Sequence, residues 1–259
     1  MERIRALLID IDGVLTVSWH PLPGAVDAVQ WLRDNGYPFA FLTNTTSRTR
    51  ASIAETLSSA GFPVETPEVF TAPAVAASYL REHYPGARCF LLNSGDIAAD
   101  LAGVNLVGDE PDVVIVGGAG PEFGYAELNR VFRYLQGGAR LVALHRNLYW
   151  RTEEGMRLDT GAFLAGLEQA AGVEAEVVGK PSGAFFATAL TALGTDADAT
   201  AMVGDDIEAD VLAAQRHGLT GILVKTGKYR PETHRSAPEP PDHVLDGFAD
   251  LPAFLGRLP

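Results

Sequence analysis

The sequence predicts an α/β protein built on a parallel sheet with helices on its faces, and three observations predict it. Apolar runs of strand length alternate with helical stripes over the first 60 residues, giving strand, helix, strand, helix. The same order resumes after residue 183 and holds to residue 224. Between them, from about 72 to 178, a second stretch alternates in its own right, with no low-complexity linker and no repeat of fixed period. Strand–helix–strand order implies parallel pairing, because a parallel crossover needs the length that a helix supplies.

Each element follows from its residues. Arg5 to Ile9 (RALLI) is short, apolar and followed by acids, as a buried strand is. Ala25, Ala28, Val29 and Leu32 fall at i, i+3, i+4 and i+7, one face of a helix, and Asn35-Gly36 stops it. Residues 38–43 (PFAFLT) form the next strand, and Ile53, Leu57 and Ala60 mark the next helix. In the middle, 88–94, 112–118 and 140–145 read as strands, and 72–84, 122–136 and 161–171 as helices. Beyond a strand-like EAEVV run, Phe186, Ala189, Leu190 and Leu193 make a helical face closed by Gly194. TAMVG (200–204) and TGILV (220–224) are strands, with a helix marked by Ile207, Val211 and Ala214 between them. Residues 236–242 are proline-rich and read as an exposed loop.

Composition excludes several classes. The chain has 259 residues, 47% of them hydrophobic, enough to bury a core. No apolar run approaches the roughly 20 residues of a membrane helix, and MERIRALLIDIDG lacks the long apolar stretch of a secretory signal. The lone Cys89 has no internal disulfide partner and reads as a buried apolar filler. A cytoplasmic protein is the expectation. With 33 acids against 20 bases the formal net charge is -13, which argues against nucleic acid as a partner. A small anion remains compatible, since a metal ion and a few amides can hold one inside an acidic protein.

Ligand sites in open parallel sheets lie beyond the carboxyl ends of the strands, and four polar segments fall at such places. Asp10-Ile11-Asp12-Gly13 follows the first strand directly: one carboxylate can attack or bind metal while the other handles protons. Alone it reads equally well as a solvated turn. Thr43-Asn44-Thr45-Thr46 offers hydroxyls, an amide and backbone N–H groups to an anion, helped by any helix that starts near Ser47; it also reads as an ordinary helix cap. Gly179-Lys180-Pro181 supplies a point cation, though surface lysines are common, and it is no P-loop because Glu174 and Pro181 break that pattern. Gly204 to Asp210 (GDDIEAD) runs from a strand into three aspartates and a glutamate. Asp206 and Asp210, four apart, share a helix face, and their repulsion is naturally offset by a hard divalent cation, although aspartates also suit a helix start without one. The run VGGAGPEFG (116–124) departs from dinucleotide-site spacing and reads as a strand-to-helix turn.

Taken together and in this order, DIDGVL (10–15), TNT (43–45), GKP (179–181) and GDDIEAD (204–210) resemble the four motifs of the haloacid dehalogenase superfamily of aspartate-nucleophile phosphohydrolases. The resemblance covers essentially the whole chain. It implies a Rossmann-like core at 1–72 and 179–259, with an inserted α/β type II cap domain at 73–178. That cap class belongs to subfamily IIA, the nitrophenyl phosphatase-like branch. HRNLYWRTEEGMRLDTGAF (145–163), VVGKP (177–181) and ILVKTGKYRP (222–231) look like the phospholysine phosphohistidine inorganic pyrophosphate phosphatase branch in particular.

The resemblance further implies a mechanism. Asp10 is the nucleophile that forms an aspartyl phosphate, and Asp12 is the general acid and then the general base. Magnesium is the cofactor, held by Asp10, the Asp12 backbone carbonyl and Asp205, with Asp206 a further candidate ligand and Asp210 behind them. Thr43, Asn44 and Lys180 bind the transferring phosphoryl oxygens. The substrate is a small phosphorylated molecule, neither nucleic acid nor membrane is a partner, and homodimers can form through the cap. Within the cap, Asn147, Tyr149, Trp150 and Asp159 are candidate substrate contacts; the two aromatic residues read equally well as cap packing. Asp12 favours phosphoryl chemistry over dehalogenation. It leaves a phosphomutase open, and a non-catalytic phosphometabolite-binding protein is the alternative from another class.

Overall fold

The computed structural model describes residues 4–152 and 155–258, without the side chains of 150–156. The chain forms two compact units, Met1–Thr43 with Arg50–Phe70 and Lys180–Pro259, and Asn44–Thr49 with Thr71–Gly179.

The first unit carries a six-stranded sheet in the order His243–Leu245, Thr220–Val224, Thr200–Gly204, Ala6–Asp10, Phe39–Thr43, Val69–Thr71. The first five are paired parallel. Ala6–Asp10 is central and buried along its whole length, which is why it reads as an unbroken apolar run rather than an alternating one. Ile9 pairs with Val203 on one side and Phe41 on the other, and Asp10 pairs with Leu42. This register brings Asp10, Thr43 and Gly204 to one edge, at the carboxyl ends of three adjacent strands.

Helix Ala25–Asp34 buries Ala25, Ala28, Val29 and Leu32, the predicted stripe. Helix Arg50–Ser59 buries Ile53, Ala54 and Leu57 and begins three residues beyond Ser47, so Thr43–Thr46 is not a helix start. Helix Gly183–Leu193, capped by the Ser182 hydroxyl, buries Phe185, Phe186 and Ala189, while Leu190 and Leu193 stay partly exposed. Phe41 is fully buried in the cluster that joins the sheet to these layers. Phe41→Ala is expected to lower the unfolding free energy by about 3–5 kcal/mol in urea titrations, through the transfer energy forfeited and the cavity left behind.

The second unit has a five-stranded sheet in the order Glu176–Val177, Arg140–Ala143, Val113–Val116, Arg88–Leu92, Asn105–Leu106, every pair parallel. Its helices are Ala72–His83, Tyr125–Gln136 and Thr160–Ala171. Val114, Val116, Val131, Leu141 and Leu164 lie in its own apolar core. A two-stranded antiparallel hairpin pairs Tyr149–Thr152 with Gly155–Leu158.

Segment 44–49 groups with this second unit, whereas the boundary expected at 72/73 leaves it with the first. Asn93 explains the attachment: its amide donates to the Thr46 carbonyl at 3.0 Å, and its carbonyl accepts the Gly118 N–H at 2.8 Å. The glycine-rich 116–120 run makes room for this contact. A Cβ on Gly117 would lie 2.0 Å from Asn93 Oδ1, and one on Gly118 would lie 2.3 Å from Thr46 Oγ1.

Candidate active site

Asp10 ends its strand nearly buried, and two neighbouring segments deliver its partners. Lys180, 4% exposed, places Nζ 2.6 Å from Asp10 Oδ1 and 2.7 Å from Asp210 Oδ1. Asp205 follows Gly204 at the end of the adjacent strand and is 1% exposed. One oxygen from each of Asp10, Asp205 and Asp210 lies within 4.8 Å of the others. When all three buried carboxylates are ionised, the Lys180 ammonium offsets one charge and leaves two, which one divalent cation balances. Asp205 Oδ1 is buried and has no hydrogen-bond partner among the described residues. An orphaned carboxylate oxygen inside a protein is costly, and in an all-oxygen cluster it suits a hard cation. The residues therefore fit a magnesium-type ion.

Asp205 is held from both sides by backbone. Its Oδ2 accepts the Lys228 N–H at 2.6 Å. Gly13 and Gly227 have φ of 85° and 55°, in the left-handed region, and a Cβ on either would lie 1.9 Å from Asp205 Oδ2. The Thr226 hydroxyl donates to the Gly13 carbonyl at 2.5 Å, joining the two turns.

The acidic run after Gly204 divides differently from expectation. Asp206 stays outside the three-carboxylate cluster. It caps the following turn, with Oδ1 accepting the N–H groups of Glu208 and Ala209 at 3.2 and 3.0 Å. Asp210, expected behind the ligands, instead supplies an oxygen to the cluster. The turn it lies on, Ile207–Leu212, is a π-helix, wider than an α-helix, so a spacing of four does not put both side chains to one use. Asp12 is half-buried beside Asp10, and Thr43 is buried at the end of its strand. Asn44, the next residue, belongs to the second unit.

Among the expected cap contacts, Asp159 is buried and caps helix Thr160–Ala171, accepting the Thr160 N–H at 2.8 Å. Asn147 is half-buried and Tyr149 is exposed. The Trp150 side chain lies outside the described residues. Lys228 is the site residue that strand and helix patterns did not find. Its only signal in the sequence is the KTGKY run (225–229), a turn that follows a strand of the same sheet edge.

A family model described as haloacid dehalogenase-like hydrolase matches residues 7–107, and a second, haloacid dehalogenase hydrolase-like, matches 177–251. Haloacid dehalogenase-like hydrolase domain-containing protein 2 of Bos taurus is 35% identical over 255 residues, covering 94% of this chain and 97% of that protein. The chain belongs to the haloacid dehalogenase-like hydrolase family. Human phospholysine phosphohistidine inorganic pyrophosphate phosphatase is 36% identical over 256 residues, covering 96% of this chain and 92% of that one. Among solved structures, the p-nitrophenyl phosphatase of Archaeoglobus fulgidus is similar with a TM-score of 0.91 and 30% identity, over 97% of this chain and 99% of that one. No helix among the described residues is long and apolar enough to cross a membrane.

In this hydrolase the site is electrostatically tense. Burial and the charges of Asp10 and Asp210 push Asp205 up to about 8. Burial and Asp10 push Asp210 up to about 7 against the pull of Lys180. Burial also raises Asp10, opposed by Lys180 and then Lys228. Burial opposes the Lys180 charge, but Asp10 and Asp210 outweigh it and hold the ammonium above its usual range.

The clamp on Asp205 allows a direct test. Gly13→Ala would put a methyl group into the carboxylate at a backbone angle that L side chains rarely adopt. It is expected to cut kcat/KM by at least about 100-fold, since small misplacements of reacting groups have that effect, while circular dichroism shows the fold retained.

Proposed function

We propose that this hydrolase is a magnesium-dependent phosphatase acting on small phosphate esters, phosphoamides or pyrophosphate through an aspartyl phosphate on Asp10. The observation that carries the reading is the Asp10–Lys180–Asp210 triad beside the orphaned Asp205 oxygen. An anionic nucleophile stands there against a fixed cation, with two uncompensated charges in reserve for a metal. The names of the similar proteins, a p-nitrophenyl phosphatase and a phospholysine phosphohistidine inorganic pyrophosphate phosphatase, support it.

In this reading the free Asp10 oxygen attacks phosphorus in line. Asp12 gives a proton to the leaving oxygen and later takes one from the water that cleaves the aspartyl phosphate. Lys180, already against Asp10, meets the transferring oxygens, and Thr43 and Asn44 donate to them. Asp10, the Asp12 backbone carbonyl, Asp205 and Asp210 would hold the magnesium ion, and Asp206 steadies the turn that carries Asp210. Bound there, the cation supplies charge neutralisation, so that carboxylate and phosphate can approach.

The inserted region, drawn at 73–178 with a core of 1–72 and 179–259, is the proposed cap that selects the leaving group. A cytoplasmic location and dimers through that cap complete the proposal. The experiment is phosphate release from p-nitrophenyl phosphate, pyrophosphate and a panel of phosphometabolites, with magnesium and with chelator. Magnesium-dependent release is the expected result. An isomeric ester accumulating without free phosphate would make the protein a mutase. Binding without turnover of any compound would make it a binding protein.

A further inference from the structure

Lys180 and Lys228 are placed very differently. Lys180 is buried and pinned between two carboxylates. The Lys228 side chain is 62% exposed, and its one ion-pair contact among the described residues is Asp206 Oδ2 at 3.7 Å, too long for a hydrogen bond. Yet its main chain is fixed, because the N–H is bound to Asp205 and the preceding Gly227 is locked against Gly13. A flexible cation anchored at the metal-type cluster, pointing to solvent and without a tight partner, is arranged to meet an incoming anion.

We propose that Lys228 is a specificity-determining residue that binds a negative charge on the leaving group, favouring phosphoryl donors whose leaving group is itself anionic. This rests on the phosphatase reading and deepens it. In the transfer, an Asp10 oxygen bonds to phosphorus while the P–O bond to the leaving group breaks, its electron pair going to the leaving oxygen. A further charge already on that group stays throughout. Lys180 is committed to Asp10 and the transferring phosphoryl, whereas Lys228, anchored at the same cluster by its N–H and with its side chain exposed, can take the second charge. A p-nitrophenyl group carries no ionised group beyond the departing oxygen, so it offers Lys228 no further charge to bind.

The test compares pyrophosphate with p-nitrophenyl phosphate as substrates of the full chain with magnesium, in the wild type, Lys228→Met, Lys228→Gln and Lys228→Arg. Removing a charge-assisted hydrogen bond from a partly exposed site corresponds to roughly a tenfold change or more. Both neutral variants are therefore expected to lose at least about 10 times more kcat/KM on pyrophosphate than on p-nitrophenyl phosphate, chiefly through KM. Lys228→Arg is expected to keep the wild-type ratio within about threefold. Equal losses on both substrates, or no loss on either, would overturn the assignment while leaving the phosphatase reading intact. A wild type that releases phosphate from neither compound would overturn the assignment, and the phosphatase reading falls with it if the phosphometabolite panel also gives no release.

Discussion

Asp10→Asn is expected to lower phosphate release by at least about 10⁴-fold, because it removes the proposed nucleophile itself rather than a neighbour of it. The fold should survive. Asp10 is one of three buried carboxylates that repel one another, so an amide in its place relieves repulsion even as Lys180 loses the charge of one carboxylate partner. The melting temperature should therefore stay within a few degrees of the wild type. Asp12→Asn separates the roles: it keeps the nucleophile and should lose about 10²–10⁴-fold, the usual scale of general acid–base catalysis. A burst of leaving group without turnover in Asp12→Asn would display the aspartyl phosphate directly. If Asp10→Asn kept more than about 1% of the activity, the nucleophile would have to be another residue.

Magnesium should both switch the activity on and stabilise the protein, and the second effect has a definite pH sign. Asp205 and Asp210 titrate near 8 and 7 in the folded metal-free protein, against about 3.9 in an unfolded chain. Raised carboxyl pKa values mean that the folded state holds protons more tightly. The stability they contribute is full below about pH 4 and is lost as pH rises through 7 and 8. Without magnesium, these two groups make the protein less stable at pH 8.5 than at pH 5.5. Magnesium competes with those protons, so its stabilisation runs the other way. At 100 times its dissociation constant it contributes about 2.7 kcal/mol, a rise of roughly 5–10 °C for a chain of this size. Differential scanning fluorimetry should show that rise at pH 8.5 and less than half of it at pH 5.5. A shift equal at both pH values would mean that the ion binds elsewhere. Excess chelator should abolish turnover, and added magnesium should restore it.

Much of this site is legible in the chain because its parts are local. Asp10, Thr43 and Asp205 each stand at or directly after the end of an apolar strand, and strand ends in a parallel sheet converge by topology. What escaped is tertiary. Nothing in the sequence says that Gly13 and Gly227 close on the same carboxylate, since their contact spans the whole core. Lys228 is hidden for the same reason: its main-chain partner is set by the meeting of two distant turns. The acidic run misleads in a different way. Asp206 and Asp210 are equivalent on an ideal helix, but a capping role for the first and a π-turn between them give each a separate task. The short strands Thr16–Val17 and His20–Pro21 are two residues each, below what an alternation pattern can register. Segment 44–49 looks continuous with the first unit in the sequence because its partner in the second, Asn93, lies far along the chain.

The interlock of Gly13, Thr226 and Lys228 around Asp205 also sets a timetable for synthesis. The strand bearing Asp10 is made well before its neighbour Thr200–Gly204 and the turn at 226–228. At about 5–20 residues per second, the interval between residues 10 and 228 is roughly 10–40 s. During that interval the central strand lacks its neighbour on the Thr200–Gly204 side, and Asp10 lacks the full set of its partners Lys180, Asp205 and Asp210. The exposed edge of Ala6–Asp10, apolar over four of its five residues, is the stretch for which a holding chaperone would be most needed.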